Sequence, residues 1–505
     1  MRLEDEVECH TVDFARVAGT PAPGGEWGLE VVGARPGRWG VRVLLVLLAV
    51  VALLPPSGFD FSNRVPVHAG SPPGTAVPGP PTLAALLRIF PTAMTPSRFR
   101  AAFGMPSQPD GAGQRIALVE VENGFDPAAL AKFDKAFGLP PAHVQVIDAS
   151  GGPLPKAHAA DETMLDVEWA HALAPAATLG VIVWVVPGIQ TGEAWLATAL
   201  RSFRPTVVSV SAVAAGPWAV AAARIGFSMG WAPINGYPTF VSTGDGGQGL
   251  GLPSLMPGVA AVGGVARGPG GTSWVPWTAS GGGYADWVAN RPAWQSPNSS
   301  RWRGVPDVSW LAGAPGLVSY VDGWIDLEGT SAATPEWAAL WALADQLRSQ
   351  RGLPPLAAPA PAALYAVARR DPAAFVQPAG VGAPGTWNPR SGLGIPQPRV
   401  MLSALAALPA GCCREPVAPF GYLPEMAALV LAGVALYILG AGSPGWRVTV
   451  AGAAAWVIGL VATGAAAYLQ SAAGPHPDLP AIVLFVVAAA CAALPARERG
   501  PASGA

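Results

Sequence analysis

A mainly parallel α/β sheet with helices on both faces is the fold class this chain predicts, on three observations. Short runs rich in valine, isoleucine and threonine recur between residues 115 and 321. Helical stretches separate most of them, as in strand–helix–strand units. Glycine- and proline-containing segments punctuate the alternation, as turns require. In chain order, strands are predicted at Arg115–Glu122, His143–Ala149, Thr178–Val186, Thr206–Val213, Thr239–Thr243, Val259–Val265 and Gly316–Val321. Helices are predicted at Asp126–Phe137, at Asp161–Pro175 (closed by its proline), at Glu193–Phe203 and at Pro217–Met229. A last one spans Pro335–Leu347, with Trp337, Leu340, Trp341 and Leu347 apolar.

The flanks have a different composition. Of 505 residues, 51% are hydrophobic and only 12% charged, more apolar than soluble chains usually are. Residues 1–40 form an N-terminal extension, and 41–54 an apolar signal or anchor segment behind Arg35, Arg38 and Arg42. Residues 55–82 are a Pro/Gly-rich linker, 83–408 the α/β domain and 409–425 a tether carrying Cys412 and Cys413. Residues 426–496 hold three nearly uncharged runs, 426–442, 448–469 and 480–495, before a tail at 497–505. These predict three C-terminal transmembrane helices and a lipid bilayer as partner. Arg447, Arg497 and Arg499 lie on one side of that arrangement, and 470–479 has no lysine or arginine. The expectation is a multi-pass cell-membrane protein with the α/β domain outside the cytoplasm. The net charge of -2 names no partner, and no basic, aromatic-interleaved cluster points to nucleic acid. The four cysteines avoid the α/β region, which excludes a disulfide scaffold there.

Chemistry concentrates in three places. Gly329-Thr330-Ser331 precedes a helix, where a serine meets small neighbours and a positive helix end; the same residues would also suit an ordinary helix cap. Glu162 and Asp166 stand four apart on one predicted helix face. Like carboxylates at that spacing repel, so the pair makes sense if it shares a proton or faces a third polar group; a solvated first turn that welcomes acids is the other reading. Glu168 reads as a surface acid. Asp245 follows Gly244 at the end of a predicted strand, where sites of parallel sheets gather, although a turn aspartate can be structural. A serine needs a base and an oxyanion donor to act as a nucleophile, and these acids could supply both.

In this order and spacing the three elements resemble the sedolisin family of serine-carboxyl peptidases. The stretches 94–106, 252–266, 280–287, 303–309 and 391–398 also fall in family order, and the resemblance covers about residues 84–408. It implies the subtilisin-like version of the fold. It further implies Ser331 as nucleophile, Glu162 as general base and acid, Asp166 as the residue that orients Glu162 and shares its proton, and Asp245 as oxyanion donor. The expected activity is endopeptidase cleavage of proteins or peptides with an acidic optimum, since a carboxylate base and a protonated aspartate both suit low pH. A subtilisin-type histidine base does not fit: none of the six histidines has the right setting, and His171 reads as a packed residue.

Three departures qualify the resemblance. The calcium aspartates of the family align with Gln377 and Asn388, so calcium binding is expected to be weak or absent, and no cofactor is expected. After Ser209-Val210-Ser211 the family's aromatic is replaced by Ala212. The residues before position 83 leave no room for the folded propeptide that the resemblance implies. An alternative function class follows from these departures: a catalytically silent sensor or peptide-binding module on the same fold.

Overall fold

The computed structural model describes residues 82–413 apart from 122, 150–158, 185–188, 213–235, 248–252, 257, 285–290 and 358. The predicted segment 41–54, the helix at 217–229 and the runs at 426–442, 448–469 and 480–495 lie outside the described residues.

The chain enters through α1 (Leu83–Ile89) and α2 (Pro96–Phe103), capped by Thr82 and Thr95 hydroxyls that accept from Ala85 and Arg98 backbone N–H groups. The main sheet is built from β1 (Arg115–Glu120), β2 (His143–Asp148), β3 (Thr178–Val183), β4 (Val207–Val210), β5 (Thr239–Ser242), β6 (Ala260–Arg267), β7 (Trp274–Pro276) and β10 (Val308–Leu311). Its order is β10-β6-β5-β4-β1-β3-β2, all parallel, with β7 antiparallel on β6. Between β7 and β10 lie β8 (Gly283–Tyr284) and β9 (Gly304–Val305), which pair with each other. The helices α3 (Pro127–Phe137), α4 (Asp161–Leu173) and α5 (Ile189–Phe203) connect the first strands.

Alternation along β1 explains why both faces are covered. Ile116 and Leu118 join one core with α4, while Ala117 and Val119 join a second with Leu196, Leu200 and Phe203 of α5. Gly180 in β3 is where α5 comes closest: a Cβ there would lie 2.7 Å from the Phe203 ring. On the first face, α6 (Thr330–Gln350) packs against α4 and lies over β4, β5, β6 and β10. Both helices are buried nearly all round, so neither shows a polar stripe. The predicted Pro335–Leu347 helix thus starts earlier, with Ser331 inside its first turn.

The predicted strand at Gly316–Val321 forms, but off the main sheet. β11 (Leu317–Tyr320) pairs antiparallel with β12 (Trp324–Leu327) as a separate hairpin against α3 and α4. The domain closes with α7 (Ala360–Arg370), the pair β13 (Phe375–Val376) and β14 (Ile395–Pro396), and α8 (Pro398–Ala406). The buried Arg348 guanidinium donates to the Leu408 carbonyl at 2.6 Å and to those of Leu405 and Ala406, holding the end of α8 on α6.

One expectation is corrected. Among the described residues no helix is long and apolar enough to cross a membrane. This overturns the predicted three C-terminal transmembrane helices and the multi-pass cell-membrane localisation. The longest described helix, α6, has 21 residues, but Glu336, Asp345 and Arg348 sit on it and protein surrounds it.

Candidate active site

Ser331 occupies the first turn of α6 and is only 6% exposed. The residues before it set its surroundings. Thr330 donates from its backbone N–H and its hydroxyl to Asp245 Oδ1, both at 2.8 Å, and accepts from the Gly244 N–H at 3.0 Å. A free N–H of the helix start is thereby satisfied by a carboxylate arriving from the end of β5. The other oxygen, Oδ2, lies close to Gly329: an ideal Cβ there would sit 3.1 Å from Asp245 Oδ2 and 3.7 Å from Ser331 Cβ. Glycine at 329 is what lets the three groups come together.

Pro335 shapes the same turn from the other side. In an α-helix the N–H at position 335 would bond the carbonyl at 331, and proline has none. The Ser331 carbonyl instead accepts from the hydroxyl of Ser211, just past the end of β4, at 3.4 Å. The same hydroxyl lies near Asp166 and favours its charged form, against the larger effect of burial. One hydroxyl thus sits between the nucleophile's backbone and the acids of α4.

Those acids form a crowded group. Asp166 is completely buried, and neither carboxyl oxygen has a hydrogen-bond partner within 3.5 Å among the described residues. Its pKa is raised well above the ordinary carboxylate value, first by burial and then by the charges of Glu120 and Glu162. Glu162 lies in the first turn of α4, one turn before Asp166 and half-buried. Glu120, at the carboxyl end of the central strand β1, is 2% exposed and accepts from the Thr163 hydroxyl at 3.1 Å. The predicted pair therefore has a third acidic neighbour. Glu120 went unremarked in the sequence as part of a strand; its signal was an acid closing an otherwise apolar run at the end where parallel sheets gather their sites.

Two other residues are settled by their surroundings. Glu168, read as a surface acid, is fully buried and accepts from the Tyr320 N–H of β11 at 3.0 and 3.3 Å, a tie that burial makes worth having. His171 is packed, as expected: Nε2 lies 2.8 Å from the Pro140 carbonyl and 3.3 Å from Asp134 Oδ1, and burial lowers its pKa. It sits at the far end of α4 from Glu162, by the start of β2.

Gln377 and Asn388 lie together elsewhere, where β13 and the turn before β14 meet, and Asn388 donates to Gln377 Oε1 at 3.1 Å. Among the described residues no group of three or more His, Cys, Asp or Glu side chains could hold a metal ion.

No family profile matches the chain. Kumamolisin from Bacillus sp. (strain MN-32) is 31% identical over 295 residues, which cover 51% of this chain and 53% of that protein. Tripeptidyl-peptidase 1 from Dictyostelium discoideum is 28% identical over 333 residues, 57% of this chain and 53% of that protein. The chain thus spans about half the length of the curated relatives it matches. A solved structure of Pseudomonas sedolisin, a serine-carboxyl proteinase complexed with two molecules of pseudo-iodotyrostatin, superposes with a TM-score of 0.52 at 22% identity. That match covers 62% of this chain and 97% of that one, and it speaks for the subtilisin-like fold. This fold and these relatives support a sedolisin-family serine-carboxyl peptidase.

Proposed function

We propose that the protein is a serine-type endopeptidase that cleaves proteins or peptides under acidic conditions. The observation that carries this reading is the convergence on one helix turn. Asp245 reaches Thr330 beside Ser331, and the Ser211 hydroxyl that donates to the Ser331 carbonyl lies near the buried Asp166.

In this reading Ser331 Oγ attacks the scissile carbonyl carbon while Glu162 takes its proton, and Glu162 then passes that proton to the leaving amine. Water, activated by the same carboxylate, hydrolyses the acyl ester and frees Ser331. Asp166 holds Glu162 in place and shares its proton, so the two titrate as a pair. Crowding with Glu120 in a buried pocket favours keeping a proton in the group, which supports activity in acid. Asp245 donates to the oxyanion from Oδ2: both bonds from Thr330 fall on Oδ1, so a proton on this carboxyl belongs on the other oxygen.

The test is digestion of a peptide library by the purified chain across about pH 3 to 7. Cleavage that is greatest in acid and lost in Ser331→Ala supports the proposal. Peptide binding without cleavage at any pH would point to the silent binding module instead.

A further inference from the structure

The calcium site that the family resemblance implies sets up a test of the donor set at Gln377 and Asn388. A calcium ion needs oxygen lone pairs converging on an empty centre. Here the lone pairs are already taken. Asn388 Oδ1 accepts from the Arg390 and Ser391 backbone N–H groups, both at 3.0 Å, which fixes the amide with its nitrogen pointing the other way. That nitrogen faces Gln377 Oε1 at 3.1 Å and the Gly392 carbonyl at 3.2 Å. Gln377 Nε2 faces the Thr386 carbonyl at 2.6 Å and the same Gly392 carbonyl at 3.3 Å. Ser391 Oγ completes the set, 3.1 Å from Gln377 Oε1. Two amide nitrogens therefore converge on backbone carbonyls where a cation would otherwise neutralise them. The residues present do not fit calcium.

We infer that Gln377, Asn388 and Ser391 form an amide clasp that replaces a bound cation, so that this chain closes the loop before β14 without calcium. The clasp matters because of what the loop holds. Trp387 Nε1 donates to the Pro306 carbonyl at 2.8 Å, the Leu393 N–H to the Asp307 carbonyl at 2.8 Å, and the Ser309 N–H to the Gly394 carbonyl at 3.0 Å. The next link is Trp337 of α6, whose indole N–H donates to the Ser309 carbonyl at 3.2 Å. The loop thus braces the edge strand β10, on which the helix carrying Ser331 rests.

The experiment reads stability, so it stands apart from the proposed peptidase activity. The full chain is melted in EDTA and in millimolar calcium chloride, alongside the double variant Gln377→Asp/Asn388→Asp. Wild-type midpoints within about 1 °C of each other are expected, because an ion that binds the folded state would raise the midpoint with its concentration. The double variant cannot donate from either position and should melt several degrees lower in EDTA. A calcium-dependent rise in the wild type, or a double variant with the wild-type midpoint in EDTA, overturns the inference. Should the double variant not fold, Gln377→Glu at this half-buried position keeps the question open to refutation: a midpoint equal to the wild type in EDTA sinks the clasp.

Discussion

Two polar clusters of this domain are built on opposite rules. Around Gln377, Asn388 and Ser391 the groups are neutral and each side-chain oxygen accepts from a neighbour's N–H or O–H. Around Asp166 three acids crowd together, and the buried Asp166 carboxyl has no bond within 3.5 Å among the described residues. A satisfied network stabilises one geometry, whereas a frustrated one costs stability and persists where its reactivity is used. The contrast also separates what substitutions should do: damage to the clasp should show as stability, damage to the acids as activity.

The largest effect that sharpens this contrast is Ser331→Ala, which should reduce peptide cleavage on the order of a thousandfold or more. Its melting midpoint should stay close to wild type, since only a hydroxyl is removed; equal losses in both would erase the distinction. Next, Asp166→Asn should lower kcat on the order of a hundredfold while leaving stability at neutral pH equal or higher. An amide of the same shape replaces an acid whose charged form is disfavoured by burial and by the charges of Glu120 and Glu162. A large drop in melting midpoint would show that Asp166 is structural.

A third prediction concerns pH. Burial pushes Asp345 up to about 7, Asp326 up to about 7 and Asp134 up to about 6, from 3.8. Each keeps its proton in the folded state to a higher pH than in the unfolded chain. Their contribution is therefore fully present below about pH 3.8, declines as pH rises toward about 7 and is flat above. At about 1.4 kcal/mol per unit, each should be worth up to a few kcal/mol. Asp345→Asn, which can still accept from the Leu356 N–H, should flatten the denaturation-midpoint profile over that range. An unchanged slope would show that Asp345 does not hold its proton. The smallest effect is expected for Ser211→Ala. It should lower kcat several-fold and move the acid side of the rate profile upward, because the nearby Ser211 hydroxyl favours the charged form of Asp166. A shift of KM alone would argue for a role in the cleft instead.

Much of this is legible in the amino-acid sequence. The strands from Arg115 to Val265 were readable because apolar β-branched runs between turn residues have few other uses. Glu162 and Asp166 announced themselves through a helix spacing that is unfavourable in isolation, and Gly329-Thr330-Ser331 through small residues at a helix start. Glu168 was misread because a helix enclosed on every side has no polar stripe against which one acid stands out. The three apolar runs near the carboxyl end, expected from composition to be spans, lie outside the described residues, and none of the described helices is long and apolar enough to cross a membrane.

Local order therefore came from the chain: which runs extend, which coil, and which chemical groups wait at their ends. Their company did not. That Glu120 stands beside Asp166, that Ser211 takes the carbonyl freed by Pro335, and that amide hydrogens take up the carbonyls at Gly392 are facts of packing between segments far apart in sequence. Periodicity reports which face of an element is buried, and nothing in it names the neighbour on the other side.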